Sequence, residues 1–172
     1  MMKIVVLSDT HLPKRKKGLP ARLIEELQTA DLIIHAGDWQ TIDVFKELQT
    51  YARVEGVYGN VDSEEISELF PDKQVVEVCG FRLGITHGHG KGKTTEQRAI
   101  AAFKDEKIDC IIFGHSHIPV KRYEGDILLF NPGSPTDKRR QKLFSFGVIS
   151  ISDKMVAEHI FFMNSNEVES NV

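Results

Sequence analysis

Seven side chains in this sequence are of types that hold metal, and each follows an apolar run. Asp9 and His11 come after Ile4–Leu7, Asp38 after Leu32–Ile34, Asn60 after the run ending at Tyr58, His87 after Phe81–Thr86, and His115 and His117 after Cys110–Phe113. They are hard oxygens and borderline imidazoles with no thiolate among them. Such a set suits Mn, Fe, Zn, Ni or Co rather than a cysteine-based structural zinc site. It is too large for one tetrahedral ion and suits two ions sharing a bridge. Asp-x-His and His-x-His can each present both side chains to one place from a turn. Two divalent ions about 3.5–4 Å apart stabilise both the attacking and the leaving oxygen of a phosphoryl transfer. Two carboxylates against two divalent ions leave the set at about +2, or about +1 with a bridging hydroxide. It would therefore attract a phosphate ester despite a formal net charge of -3.

The elements that must bring these tips together are legible in the pattern. Residues 3–7 read as a buried strand. Pro20 suits the first turn of a helix with Leu23, Ile24 and Leu27 as its apolar face. A second strand covers 31–35. Thr41 is placed to cap a helix striped by Ile42, Phe45 and Leu48, and a third strand covers 53–58. Strand, loop and helix in this alternation predict a parallel sheet with crossover helices. The rhythm then changes. A short helix over 64–70 precedes strands at 74–79 and 81–86, parted only by Gly80 as in a tight hairpin. Thr94 with Gln97 three residues on resembles a capping box and opens a helix through Lys104. A strand over 109–113 follows, and the rest is strand: 120–123, 127–130, 143–151 and 156–162. The expected class is α/β, with two mixed sheets packed face to face and helices outside. Residues 1–163 are expected to form one domain, with the polar stretch 164–172 as a frayed tail.

Composition narrows the function classes. With 172 residues, 41% apolar and 27% charged, the chain has the mix of a globular protein able to bury a core. The slight net negative charge argues against binding nucleic acid or anionic membranes by overall charge. Cys79 and Cys110 form no Cys-x-x-Cys and no disulfide framework. No apolar stretch approaches the ~18–20 residues of a membrane span. No signal-peptide pattern precedes the first strand, so a cytoplasmic location is expected.

Several residues have plainer readings. His159 fits a structural histidine. His35, before Ala36-Gly37-Asp38, reads as packed or supporting rather than ligating. Asp62 and His89 sit beside ligands, where orienting a ligand is a credible role. Gly92-Lys93-Thr94 mimics the end of a phosphate-binding P-loop, but the pattern needs glycine where His87 stands. The glycines there are expected to let backbone pass close to the metals. The basic runs Lys14–Lys17 and Lys138-Arg139-Arg140 are either solvated surface or contacts for substrate phosphate. No Gly-x-Ser-x-Gly elbow exists, and Ser134 lies in a Pro-rich turn, which disfavours serine-type hydrolysis.

Asp9-x-His11, Gly37-Asp38, Gly59-Asn60-x-Asp62, His87-Gly88-His89 and Gly114-His115-x-His117 resemble, in order and spacing, the five motifs of the calcineurin-like metallophosphoesterase superfamily. The compact length and the Asn131-Pro132-Gly133-Ser134 turn are similar to its small YfcE-like phosphodiesterase branch. The resemblance covers about residues 3–162. It implies a four-layer α-β-β-α sandwich and a divalent-metal-dependent phosphoesterase with two ions. Manganese is the first expectation, with Ni, Fe, Zn, Co or Mg as alternatives. Carried over by motif, Asp9, His11 and His117 hold one ion, and Asn60, His87 and His115 the other. Asp38 bridges them, opposite a metal-bound hydroxide that attacks phosphorus without a covalent enzyme intermediate.

One position departs from the pattern. Many relatives place a proton-donating histidine after the Gly-Asn of the third motif, where this chain has Val61. That tilts the expectation toward phosphodiesters over monoesters, with His89 as a substitute acid and Asn60 and Arg139 as substrate contacts. The expected partner is a small phosphate ester; no membrane or specific nucleic acid is indicated, and homo-oligomer formation is open. The rival reading is a non-catalytic scaffold of the same fold, as in the small retromer subunit. Retention of all seven residues favours the enzyme.

Overall fold

Both faces of the first strand are buried. Ile4 and Val6 point one way and Val5 and Leu7 the other, and none touches solvent. Such a strand belongs to a sheet covered on both sides. In the computed structural model, which describes residues 1–12 and 18–163, that strand is β1 (Met2–Leu7). The basic run at 14–17 and the stretch 164–172 lie outside the described residues.

β1 pairs in parallel with β2 (Leu32–His35), and β2 with β3 (Arg53–Gly56). Helices α1 (Ala21–Leu27) and α2 (Ile42–Gln49) make the crossovers. The short α3 (Glu64–Leu69) leads into a second sheet, whose strands are β4 (Lys73–Val78), β5 (Phe81–Thr86), β6 (Cys110–Ile112), β7 (Val120–Glu124) and β8 (Ile127–Asn131). Its order is β4-β5-β6-β8-β7, and α4 (Thr95–Ala102) links β5 to β6. The chain then returns as β9 (Phe144–Ile151) and β10 (Met155–Phe162), completing a first sheet of order β10-β9-β1-β2-β3.

Strand alternation builds the layers. Ile4, Val6, Ile34, Leu83, Ile112 and Phe130 meet between the two sheets. On the outer face of the first sheet, Val5, Leu7 and Ile33 pack against Leu23, Leu27, Leu48 and Ile66 from α1, α2 and α3. On the outer face of the second, Ile111 and Leu129 pack against Ala99 of α4 and Phe103 after it. The result is the expected α-β-β-α order.

Local differences have local causes. Pro20 is the cap of α1 rather than in its first turn, because its ψ of 144° is extended. Thr41 occupies the N-cap position of α2 as expected but makes no side-chain cap bond; its hydroxyl donates to the Leu12 carbonyl at 3.2 Å. The Thr94 box forms as expected, with Gln97 N–H donating to Thr94 Oγ1 at 3.2 Å and Thr94 N–H to Gln97 Oε1 at 3.0 Å. The helix stops at Ala102 rather than Lys104, since Phe103 leaves helical geometry. The β4–β5 turn uses two left-handed residues, Cys79 (φ 50°) and Gly80 (φ 83°), the pairing that matches strand twist in a two-residue hairpin. β3 ends before the expected residue because its chain turns out of the ladder toward the tips described next; Tyr58 N–H bonds the Pro71 carbonyl instead.

Candidate metal centre

Five of the seven tip residues adopt left-handed backbone: Asp9 (φ 56°), His11 (48°), Asp38 (58°), His115 (69°) and His117 (60°). Side-chain-bearing residues seldom do so, at a cost on the order of 1–3 kcal/mol each, and the strain persists only where the surroundings impose it. Here neighbouring turns are packed backbone to side chain. A Cβ on Gly59 would lie 2.1 Å from Asp38 Oδ1, and one on Gly114 would lie 1.8 Å from Ser8 Oγ. Only glycine lets the third and fifth tips approach the first and second this closely.

The two carboxylates are arranged alike, each with one oxygen tethered and one aimed inward. Asp9 Oδ2 accepts from Ser8 Oγ (2.8 Å) and His115 N–H (3.0 Å). Its Oδ1 is buried without a hydrogen-bond partner among the described residues. Around that oxygen stand the Nε2 atoms of His117 (3.5 Å), His11 (3.8 Å) and His87 (3.8 Å). Asp38 Oδ1 accepts from Val61 N–H at 3.1 Å, while Oδ2 lies 3.1 Å from His87 Nε2 and 3.6 Å from His11 Nε2. Asn60 Oδ1 is 3.1 Å from His87 Nε2 and 3.2 Å from His115 Nδ1.

The imidazoles are oriented from behind. His87 Nδ1 faces the Ala36 carbonyl at 2.7 Å, and His117 Nδ1 faces that of Asp137. A carbonyl only accepts, so each Nδ1 carries the proton and each Nε2 presents a lone pair inward. The Nε2 atoms of His11 and His117 are 3.3 Å apart. Lone pairs and anionic oxygens thus converge with too few protons between them, an arrangement that a cation resolves. Two groups are each tight enough to hold an ion, Asp9/His11/His117 and Asp38/His87/His115, with ligand atoms in each within 4.8 Å of one another. Asp38 Oδ2 is close to a nitrogen of both.

The electrostatics agree. Burial alone would raise Asp9, but the His11, His87 and His117 rings outweigh it and leave the carboxyl below the ordinary range. Asp38 is likewise raised by burial and lowered more by His87, to about 2. His87 feels burial against it, yet Asp38 and Asp9 raise its pKa, so these carboxylates demand positive charge at that spot. Burial lowers His115 and His117, which keeps both rings neutral and their lone pairs available.

A supporting ring holds these groups. Asp62 accepts three main-chain N–H bonds, from Asp38 (2.9 Å), Gln40 (2.7 Å) and Gly59 (2.7 Å), and so fixes the second and third turns together. The Asn131–Ser134 turn braces the first and fifth. Ser134 Oγ donates to the Asp9 carbonyl (2.8 Å) and accepts from Asp137 N–H (2.8 Å), and Asn131 Nδ2 donates to the Gly114 carbonyl (3.1 Å). Thr136 Oγ1 donates to the Thr10 carbonyl at 2.5 Å. Sequence reasoning assigned no such role to Asn131, Ser134 or Thr136. The Asn-Pro-Gly-Ser string was the visible signal for the turn, and Thr136 carried none.

The remaining residues fall into place around this centre. His35 accepts from Gly37 N–H at 3.1 Å, lies 3.1 Å from Thr10 Oγ1, and stacks on Trp39 with centroids 3.9 Å apart; it supports the loop and is in neither ligand group. His159 bonds the Asn131 carbonyl and stacks on Phe130, a structural role. His89 lies outside both groups, its ring 5.5 Å from that of His87 and 6.4 Å from that of His115, with a buried Nδ1 that has no partner among the described residues. Val61 is 45% exposed at the mouth. Arg139 is exposed and close enough to His117 to disfavour its protonation. The glycines after His87 also face the neighbouring helix. A Cβ on Gly88 would meet Thr95 and one on Gly90 would meet Arg98, so both make room for α4. Arg98 clamps this loop by donating to the Gly88 carbonyl at 2.7 Å.

Residues 2–154 match the calcineurin-like phosphoesterase superfamily domain. A probable metallophosphoesterase of Methanothermobacter thermautotrophicus is 39% identical over 140 residues, covering 80% of each chain. The phosphodiesterase MJ0936 of Methanocaldococcus jannaschii is 33% identical, covering 77% of this chain and 83% of its own. In fold, Chaetomium thermophilum Vps29 superposes with a TM-score of 0.76 at 18% identity, covering 95% of this chain and 99% of its own. Among the described residues, no helix is long and apolar enough to cross a membrane.

Proposed function

The chain belongs to the calcineurin-like phosphoesterase superfamily, and on that premise we propose that it hydrolyses phosphodiesters with a pair of divalent metal ions. The observation that carries this reading is the pair of half-tethered carboxylates. Asp9 Oδ1 is buried and unpartnered among imidazole nitrogens, and Asp38 Oδ2 stands between the two groups. In this reading Asp9, His11 and His117 hold one ion, Asn60, His87 and His115 the other, and Asp38 is shared. When bound, the ions neutralise charge on the phosphoryl oxygens and lower the pKa of the attacking water. Manganese is the first candidate among metals that accept His, Asp and Asn.

The protein's own groups decide the substrate class. Val61 offers no proton to the leaving oxygen, so esters with good leaving groups react best and alkyl monoesters worst. His89, half-buried beside the second group, is the titratable side chain assigned to that role; burial lowers its pKa and favours the neutral ring, so it serves as an acid only at low pH. Arg139 offers an exposed cation near His117 for a substrate phosphate oxygen. The catalytic unit is taken as residues 1–163.

The test compares hydrolysis of bis-aryl and mono-aryl phosphates after chelation and again after Mn addition, with Asp9→Asn and His115→Ala as controls. Restoration by metal, loss in both variants and preference for the diester are expected. Indifference to metal, or no hydrolysis with any metal, overturns the reading and returns weight to a non-catalytic scaffold.

A further inference from the structure

Beside the candidate metal centre, on the α4 side of the second sheet, lies a groove of about 380 Å³ that none of the roles above uses. It adjoins the centre along the chain. Ser116, between His115 and His117, forms part of its wall, and so does Thr95, whose methyl packs against Gly88 between His87 and His89. Phe113, Ile118 and Val120 make its other sides apolar. Ile118 is 47% exposed there.

Charge limits what can enter. The carboxylate at the rim is Glu96, and two guanidiniums lie beside the groove: Arg122 is spent on Glu96 (2.8 Å from Nε) and on Glu124 (2.8 Å), and Arg98, 3.4 Å from Thr95 Oγ1, is spent on the Gly88 carbonyl (2.7 Å) and the Lys93 carbonyl. Among the described residues lining the groove there is no cation to receive a second phosphate, and a carboxylate repels one. Ser116 Oγ already accepts from Ile118 N–H and Asn131 Nδ2, both at 3.2 Å, so it is held rather than free to reorganise. The volume falls in the range of small-molecule sites, and an apolar floor with a few fixed polar groups is their usual chemistry.

We propose that this groove binds the non-reacting ester group of the diester, and that the group it takes is an uncharged ring. The inference rests on the hydrolytic reading above and deepens it. It assigns Ile118, Val120 and Thr95 as residues that set substrate preference while touching none of the reacting atoms.

Two measurements test it. The first compares kcat/KM for bis-p-nitrophenyl phosphate and methyl p-nitrophenyl phosphate, which share a leaving group and differ only in the second ester. After division by the ratio of their uncatalysed rates, which takes up the two equivalent leaving groups and the activating ring of the bis ester, the metal-loaded protein prefers the ring by about tenfold or more, as expected for filling an apolar site. Ile118→Asp moves that ratio toward one, and Ile118→Val retains most of it; because the readout is a ratio, a general loss of fold or metal does not imitate it. The second measurement follows the methyl resonances of Ile118, Val120 and Thr95 on adding diphenyl phosphate or dimethyl phosphate. Shifts with the diphenyl ester alone support the groove. A ratio near one in the unaltered protein, a ratio unmoved by Ile118→Asp, or methyl resonances that do not distinguish the two esters overturns it. If neither activated ester is hydrolysed, the hydrolytic reading falls, and the methyl shifts still decide whether the groove takes a ring.

Discussion

Replacing Asp62 with asparagine should weaken metal binding although Asp62 is in neither ligand group. Its two oxygens accept three amide bonds, two on Oδ2 from Asp38 and Gly59 and one on Oδ1 from Gln40. An asparagine has one acceptor oxygen. Placed to keep the two bonds of Oδ2, it turns an NH2 toward the Gln40 N–H, which loses one bond outright and sets donor against donor. The two bonds kept lose their charge assistance, about half their strength. A hydrogen bond to a charged group contributes about 1.5–3 kcal/mol, so one lost and two weakened, discounted for partial exposure, cost about 2–3 kcal/mol. For a chain of this size that is roughly a 5–10 °C drop in Tm. The Asp38 and Gln40 turns, held at φ 58° and 86°, then relax toward unstrained backbone and carry the Asp38 carboxylate away from His87. Loss of such support typically weakens metal affinity about 10–100-fold. Thermal melts in chelator give the first quantity, and calorimetric titration with Mn gives the second. A melt within 1 °C of the unaltered protein, together with Mn affinity changed less than about twofold, would refute the bracing role of Asp62.

Three further outcomes follow from the same geometry. Burial holds His35 down to about 3, against 6.5 when unfolded, so between those values the unfolded chain binds the extra proton and stability falls as pH falls. The slope is at most about 1.4 kcal/mol per pH unit, and denaturant melts across this window should show His35→Gln with a shallower acid slope, whatever its stability at neutral pH. Gly59→Ala puts a Cβ 2.1 Å from Asp38 Oδ1 and must displace that carboxylate; activity should fall by about a hundredfold, with a larger loss of affinity for the second Mn equivalent than for the first, measured by titration. Val61→His supplies a proton donor at the mouth, so hydrolysis of an alkyl phosphate should rise about tenfold or more while an aryl ester changes little; an equal effect on both would show that leaving-group protonation is not the missing step.

Much was legible in the chain alone because it depends on local rules. The unbroken apolar run Ile4–Leu7 required a strand buried on both faces, and Thr94 with Gln97 required a helix start; both depend on residues within a few positions of one another. The identity of the seven metal-type residues was also local, since each ends an apolar run. Where local signals competed with distant ones, the local pattern was incomplete. Thr41 takes the cap position, but the Leu12 carbonyl, brought beside it by the sheet, takes its hydroxyl. The space beside the glycines after His87 is filled by Thr95 and Arg98, which the local pattern does not show.

Asp62 and His89 make the division clearest. Each stands two residues past a metal-type side chain, and sequence gave them equal standing. Folding separates them: Asp62 meets three amides from two different turns, while His89 remains at the edge with a nitrogen unpartnered among the described residues. Side-chain type and strand periodicity are properties of a segment, so the sequence determined which residues could bind metal and that they sit at strand tips. Which oxygen of Asp9 is tethered and which is left bare depends on Ser8 and on a backbone amide more than a hundred residues away. Only the tertiary structure decides that, because hydrogen bonds and close approaches act over a few ångströms whatever the separation along the chain.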